Sequence, residues 1–377
     1  MSVMLLEGFE HYSNAVEDEV NGLWTGVLVD STWPFGGTSI VDGAWPGGKA
    51  LQLNDGGVSL QKAPTDGSVN GGVITPVATI ILGMRLKVAS FLPTGESLAN
   101  LRFLVSFGSD GITIGGVMLD ENGQLVYVKN SAPEGVAGGN WVAQSTRALT
   151  LNAWHYVEVK VAFKSTAVGS VSFQIDGADA GTTGSIVTMA SAVPPESTDL
   201  VKIRAAPAIT TGAGFIDDFY MANTSGSLNN DFLGDIKVFE EPPDTDVVSD
   251  FTPATGVDNW AMVDEGIGDG LGPDEDDTYN ESSTAGHIDR FSFVASGYTG
   301  TVKAVQLVAR HRKTLAGNRN IRMTVVSGAS TANGADIPSS LGYQYAYHVF
   351  ETDPATGVAW ATVAAAEAAS AGYENRS

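Results

Sequence analysis

Two groups of side chains in the sequence could do chemistry, and they suggest different kinds of site. The first is a set of aspartates within residues 217–235, and Ca²⁺ takes several carboxylate and other hard oxygen ligands at once. The spacing matches no established calcium loop, and paired acids also occur in turns and at guarded strand edges. The sequence therefore predicts either a calcium site or a structural acid cluster. Its members are Asp217, Asp218, Asp231 and Asp235.

The second group is a set of tryptophans in a Gly- and Pro-rich stretch near the N-terminus. A tryptophan ring offers an apolar face to a sugar, and its indole N–H can donate a hydrogen bond. Tryptophans of this kind also plug the ends of β-sandwiches, where they only pack. We therefore keep two interpretations, a glycan-binding rim and a structural plug, for Trp24, Trp33 and Trp45.

No arrangement of residues matches a known catalytic constellation. The 5 histidines lie far apart, with the spacing of neither a metal site nor a catalytic triad, and His155 is expected to be structural. A jelly-roll glycosidase would alternate acidic and apolar residues along one strand, and no run does so. The chain has no cysteine, which excludes a thiolate nucleophile and a Cys-based zinc site. We expect no enzymatic activity and no required cofactor.

The charge of the chain limits its partners. The formal net charge is −23 at pH 7, and a chain so acidic repels nucleic acid over most of its surface. The basic cluster from Arg310 to Lys313 is interpreted as a solvated hairpin loop that balances local acid. The first residues have neither a basic region nor a long apolar run. We therefore expect no signal peptide and no membrane insertion.

The elements that must position these side chains are predicted to be short antiparallel β-strands. Residues 151–177 show the pattern best, because Tyr156 and Glu158 alternate with Val157 and Val159 at the period of a half-buried strand. A second alternating run follows and ends at Asp176-Gly177, a strong turn signal. The 45 glycines punctuate many other short apolar runs. These features predict an all-β protein.

The length of 377 residues favours more than one domain. We predict a sandwich domain over residues 1–238 and an acidic, Pro/Gly-rich connecting segment over residues 239–285. A smaller β domain is predicted over residues 286–377.

The smaller domain is predicted to end in an Ala-rich helix. Asp353 is the candidate N-cap, although Gly357 favours a start nearer Val358. Trp360 then lies on the apolar stripe, and Gly372 is the expected stop signal.

The hairpin pattern resembles the concanavalin-A-like (laminin-G-like) jelly roll, an antiparallel sandwich. Other segments resemble structural proteins of tailed bacteriophages. They are residues 216–220, 229–238 and 251–260, with the opening residues 7–12 and the closing residues 353–360. The resemblance covers nearly the whole chain.

This resemblance implies a non-enzymatic structural component of a tailed-bacteriophage virion, synthesised in the host cytoplasm. We expect a tail-fibre or tail-tip protein that assembles with other virion proteins, forms a homo-oligomer such as a trimer, and contacts glycans of the host surface. Two alternatives stay open. One is a capsid decoration protein, and the other is a secreted jelly-roll module that binds or hydrolyses glycans.

Overall fold

A computed structural model gives the architecture of the chain. It describes residues 2–9, 26–29, 38–46, 48–53, 58–62, 76–89, 91, 104–109, 112–129, 141–189, 196–204, 214–265 and 274–377. These residues are almost entirely β-strands in antiparallel sheets, which confirms the predicted fold class. In the part of the chain that is described, no helix has the length and apolar character needed to cross a membrane.

Two sheets form the first sandwich. The strands of the first sheet are β1 (Val3–Glu7), β3 (Thr38–Asp42), β4 (Lys49–Leu53), β6 (Thr79–Val88), β11 (His155–Ala162), β12 (Gly169–Ile175), β13 (Ala178–Ile186) and β15 (Gly214–Asn223). Their order is β13-β12-β11-β6-β15-β4-β3, and β1 also pairs with β15. The strands of the second sheet are β2 (Gly26–Val29), β5 (Val58–Lys62), β7 (Val105–Ser109), β8 (Ile112–Leu119), β9 (Gln124–Lys129), β10 (Trp141–Ala148) and β14 (Leu200–Arg204). Their order is β10-β9-β8-β7-β14-β5-β2.

The predicted hairpin is the pair β11–β12. Val157 pairs with Ile175, and both side chains are buried in the core between the sheets. The connection has positive φ at Asp176 (54°) and at Gly177 (70°). This backbone matches the twist of the flanking strands, which is why Asp-Gly is favoured at a two-residue turn.

A second, smaller sandwich contains the strands from residue 243 onward. Its larger sheet has the order β16-β19-β24-β21-β22, with strands β16 (Pro243–Ser249), β19 (Ile288–Phe293), β21 (Asn320–Ser327), β22 (Ser330–Pro338) and β24 (Ser370–Arg376). Two short pairs accompany it, β17 (Thr252–Pro253) with β18 (Asn280–Glu281) and β20 (Val305–His311) with β23 (Gln344–Phe350). Met323 and Val325 of the sheet share an apolar cluster with Ala346 and Phe350 of β23.

Residues 239–285 contribute strands as well as a connection. β16 pairs with β19 along its whole length, from Pro243↔Phe293 to Ser249↔Asp289. This edge strand therefore belongs to the sheet of the smaller sandwich. The predicted domain boundaries at residues 238 and 285 stay predictions.

The two sandwiches meet along β1. The backbone N–H groups of Ser2 and Val3 donate to the carboxylate of Glu351, at 2.7 Å and 3.1 Å. The side chain of Gln306 binds both the N–H and the carbonyl oxygen of Leu6, each at 2.9 Å. These contacts satisfy backbone groups at a sheet edge, where unpaired groups would otherwise invite aggregation.

The C-terminal helix exists but is much shorter than predicted. Helix α1 spans only Val363–Glu367. Its N-cap is Thr362, whose hydroxyl oxygen accepts from the N–H of Ala365 at 3.2 Å, so the predicted cap at Asp353 is wrong. Asp353 instead closes a turn, because its carbonyl oxygen accepts from the N–H of Gly357 at 2.8 Å.

Gly372 lies inside β24 and does not stop a helix. β24 is the middle strand of the larger sheet, between β19 and β21. A Cβ added at Gly372 would lie 2.0 Å from the carbonyl oxygen of Asp289. β24 forms because β19 and β21 pair with it on either side. The Ala-rich sequence that leads into β24 favours a helix and contains no information about this pairing.

Replacing Gly372 with alanine should therefore lower the free energy of unfolding by about 3 kcal/mol, since the new methyl group meets fixed backbone. Chemical denaturation of the full chain measures this. Gly342→Ala is the matched control, because no described atom lies within 4 Å of an added Cβ there. Equal stability of the two variants would contradict the close approach.

Candidate functional site

The side of the first sheet that faces away from the sandwich core carries charged and aromatic residues, and we call it the outer face. On β6, Leu86 and Val88 are buried in the core, whereas Arg85 and Lys87 alternate with them and lie on the outer face. Register places Tyr156 of β11 and Asp217 of β15 opposite Arg85. Three neighbouring strands therefore bring these groups together.

Arg85 is the centre of this face. Its Nε donates to Oδ2 of Asp218 at 2.8 Å, and its Nη2 donates to Oδ1 of Asp235. The guanidinium carbon lies 4.2 Å from the ring centroid of Trp45 and 5.5 Å from that of Tyr156. Charge-assisted hydrogen bonds and cation–π contacts thus join two carboxylates and two aromatic rings through one cation.

Asp218 lies at a β-bulge. The register of β15 shifts between Asp217 and Tyr220, and Asp218 has a φ of 49°. Its carboxylate also accepts from Nε1 of Trp45 at 2.8 Å and from the N–H of Val238 at 2.7 Å. Bulges re-aim side chains next to functional sites, and this one points a fully buried carboxylate at the arginine.

Burial changes the acidity of the carboxyl groups on this face. Desolvation, together with the neighbouring charge of Asp218, raises the pKa of Asp217 to about 7. Desolvation also raises the pKa of Asp218 and that of Glu158, a buried residue of β11. Groups with perturbed pKa values concentrate at functional sites, although ion-pair networks produce them too.

A segment of extended chain, residues 231–238, crosses part of the outer face, and we call it the strap. Backbone N–H groups and side chains of the strap bind groups of the sheet. The contacts are Asp231 with Lys160 at 3.1 Å, the N–H of Leu233 with the Tyr220 hydroxyl at 3.2 Å, the N–H of Gly234 with Glu158 at 3.0 Å, Asp235 with Arg85, and the N–H of Val238 with Asp218. The strap therefore covers the Glu158 and Tyr220 end of the face.

The structure brings three of the four predicted calcium ligands together, but around a cation of the protein. Asp218 and Asp235 bind Arg85, while Asp217 accepts from the N–H groups of Ala44 and Asp218. Asp231 lies apart, paired with Lys160. Within the described ranges, no group of three or more His, Asp or Glu residues could hold a metal ion. The calcium site stays a prediction that this geometry does not support.

Only one of the three predicted sugar-stacking tryptophans can be placed, because Trp24 and Trp33 lie outside the described residues. Trp45 is partly buried on the outer face. Arg85 lies against its ring, and Nζ of Lys237 is 5.1 Å from the ring centroid. Its indole N–H is bound to Asp218. Trp45 is therefore a fixed part of the charged cluster and not a free platform.

Two smaller predictions have clear outcomes. His155 is structural, because its Nδ1 lies 2.9 Å from Asp176 and its Nε2 accepts from the N–H of Thr150 at 2.9 Å. The basic cluster does balance local acid, since Arg310 pairs with Glu275.

The placement of this basic cluster in a hairpin loop was wrong. Arg310 and His311 belong to strand β20. Arg312, which follows the strand, pairs with Asp276 of the acidic loop. The alternation along residues 302–310 predicts a strand, and β20 confirms it over Val305–His311.

Sequence reasoning missed the outer-face residues Arg85, Lys87, Trp154 and Phe215. The clean alternation along β6 did show that Arg85 and Lys87 share one side. It could not show which strands flank β6, since β11 and β15 are distant from it in the sequence. The pairing register of β6, β11 and β15 places these residues side by side, and the pattern within one strand does not reveal this register.

No family model and no curated protein matches the chain. Several solved structures are similar to it. An alginate lyase from Aplysia kurodai is 10% identical, with 59% of this chain and 99% of that chain covered and a TM-score of 0.40. An endo-β-1,4-glucuronan lyase from Trichoderma reesei is 12% identical, with coverage of 53% and 95% and a TM-score of 0.33. A carbohydrate esterase from the Shiga toxin-encoding bacteriophage phi24B is 18% identical, with coverage of 58% and 99% and a TM-score of 0.32.

These matches overturn the prediction that the chain is not an enzyme. Polysaccharide lyases and a carbohydrate esterase are among the matched proteins. The missing acid pattern concerns only a jelly-roll glycosidase and no other class of enzyme. The likenesses concern the fold alone, and no activity follows from them for this chain.

Asp217 should make stability fall as the pH rises from 6 to 8. A carboxyl group whose pKa is raised in the folded state stabilises the fold below its ordinary pKa, and this contribution is lost as the pH passes the folded value, here about 7. Relative to Asp217→Asn, the native chain should lose about 1 kcal/mol of unfolding free energy over this interval.

Denaturant titrations at several pH values measure this difference. Asp258→Asn, at an exposed aspartate, is the control and should keep the native pH dependence. Parallel profiles for the native chain and Asp217→Asn would contradict the assignment.

Proposed function

We propose that the protein is a carbohydrate-interacting jelly-roll component of a tailed-bacteriophage virion, and that the outer face of the first sheet contacts the glycan. The observation that carries the glycan part is the concentration of cations and aromatic rings on this one face. Arg85 contacts Trp45 and Tyr156, and Lys87 contacts Trp154 and Phe215. The whole chain, in contrast, has a net charge of −23.

Aromatic rings suit this function because the apolar faces of sugar rings pack against them, while polar groups beside the rings fix the orientation of the hydroxyl groups. Trp154, Lys87 and Phe215 are each partly exposed. They therefore combine a fixed position with access for a ligand. The charged groups around Arg85 lie next to them on β6 and supply further hydrogen-bonding partners.

The resemblance to tailed-phage structural proteins supports the virion part of the proposal. Two of its segments, residues 216–220 and 229–238, overlap β15 and the strap, which build the outer face. A tail-fibre or tail-tip position would present this face to the host surface. Capsid decoration and a secreted glycan-active module are the alternatives, and mass spectrometry with antibody labelling of intact particles distinguishes among the three.

Glycan binding is tested by isothermal titration of the full chain against a panel of bacterial surface polysaccharides. Trp154→Ala should weaken binding about tenfold or more, because it removes one ring of the face. Trp141→Ala is the matched control, since Trp141 is also partly exposed but lies on β10 of the other sheet.

Both variants should keep the thermal transition of a folded protein. Absence of binding across the panel would contradict the proposal. So would an equal loss of affinity in the two variants.

The proposed assembly is a homotrimer, by analogy with the way fibres are built. Sedimentation velocity at micromolar concentration should then give a species of three times the monomer mass. A monomer over the whole concentration range would contradict this part of the proposal and leave the glycan part intact.

A further inference from the structure

One row of side chains on the outer face differs from the rest. Phe215 of β15 is the register partner of Lys87 on β6, and Trp154 immediately precedes His155, which pairs with Leu86. The three side chains therefore cross three adjacent strands at one level. Nζ of Lys87 lies 5.0 Å from the ring centroid of Trp154 and 4.3 Å from that of Phe215.

The two rings also contact each other. Their centroids are 6.3 Å apart and their planes make an angle of 65°, a T-shaped pair. The rings and the lysine therefore form one preorganised unit, in which the ammonium group lies against both rings.

Lys87 differs from the other cations near this face in the partners of its cationic group. Arg85 pairs with Asp218 and Asp235, Lys160 pairs with Asp231, and Lys237 of the strap donates to the hydroxyl of Tyr298. Among the described residues, no carboxylate pairs with Lys87, whose ammonium group lies against the two rings. In a chain with 43 acidic and 20 basic residues, a lysine that has no carboxylate partner in the described part of the chain and lies between two partly exposed rings is unusual.

A ligand that satisfies this unit must have an apolar ring face and an anionic group beside it. A sugar residue with a carboxylate or sulfate group has both features. The anion would add a charge-assisted hydrogen bond to the ammonium group, while a ring stacks against the sugar. The negative charge of the rest of the protein opposes anions generally, so the local cation would decide where such a sugar binds.

We propose that Lys87, Trp154 and Phe215 form a subsite for an anionic sugar residue, carrying a carboxylate or a sulfate group. This inference rests on the proposed glycan function and adds the chemical class of the ligand. Trp154 and Phe215 hold the sugar ring, and Lys87 selects for the negative group.

The test compares three probes by isothermal titration: an oligouronate, the same oligosaccharide after reduction of its carboxyl groups, and a sulfated oligosaccharide of similar length. The native chain should bind at least one anionic probe about tenfold more tightly than the reduced one, and added salt should shrink this preference. The carboxylate and sulfate arms identify which group the subsite takes.

Lys87→Gln should abolish the preference for the anionic probe over the reduced one, and Lys87→Arg should retain most of it. Lys303→Gln, which makes the same change in net charge on the other sandwich, should keep the preference. Retention of the preference in Lys87→Gln, or an equal loss in Lys303→Gln, would overturn the subsite.

The measurements can contradict the anionic-sugar subsite without contradicting the glycan-binding function. Binding of the reduced probe as tightly as the anionic probes would overturn the anionic subsite and leave the glycan function standing. In that case the contacts of Lys87 with the two rings serve only to stabilise the sheet. No binding of any probe, together with no binding in the polysaccharide panel, would overturn both.

Discussion

The buried ion pair between Arg85 and Asp218 is the interaction on which the outer face depends. Asp218 is fully buried, and a buried carboxylate without a cation is costly, at about 3–5 kcal/mol when one partner is removed. The arginine repays this cost and at the same time binds Asp235 of the strap and lies against the Trp45 ring. The ion pair therefore holds in one arrangement the strands β6, β11 and β15, the strap, and the segment between β3 and β4 that carries Trp45.

This constraint explains why the face has two different halves. Near Glu158 and Tyr220, backbone N–H groups of the strap bind one carboxylate oxygen of Glu158 and the Tyr220 hydroxyl, and those groups are covered. Near Lys87, the contacts are made by two aromatic rings, and the side chains are partly exposed. The covered half fixes the geometry, and the exposed half is where a ligand has access. Rigid support beside an accessible row is the arrangement that a binding site requires.

Much of the fold could be predicted from local pattern. The β11–β12 hairpin follows from strict alternation and an Asp-Gly turn, and β6 follows from the same period. Strands with little apolar content were missed, such as β22 (Ser330–Pro338), because an edge strand buries few side chains. β24 was mistaken for the end of a helix, since its identity depends on two neighbours that are distant in sequence.

The functional site was harder to predict from the sequence than the fold. Consecutive acids at Asp217 and Asp218 suggested a metal, whereas the cation they face comes from β6, more than a hundred residues earlier.

The position of a bound sugar tests the proposed subsite most directly. The measurement is an experimental structure of the full chain with a bound anionic oligosaccharide. We expect a sugar ring on the outer face against Trp154 and Phe215, with its negative group within hydrogen-bonding distance of Nζ of Lys87. A sugar bound on the second sheet or on the smaller sandwich, with the Lys87 row empty, would contradict it.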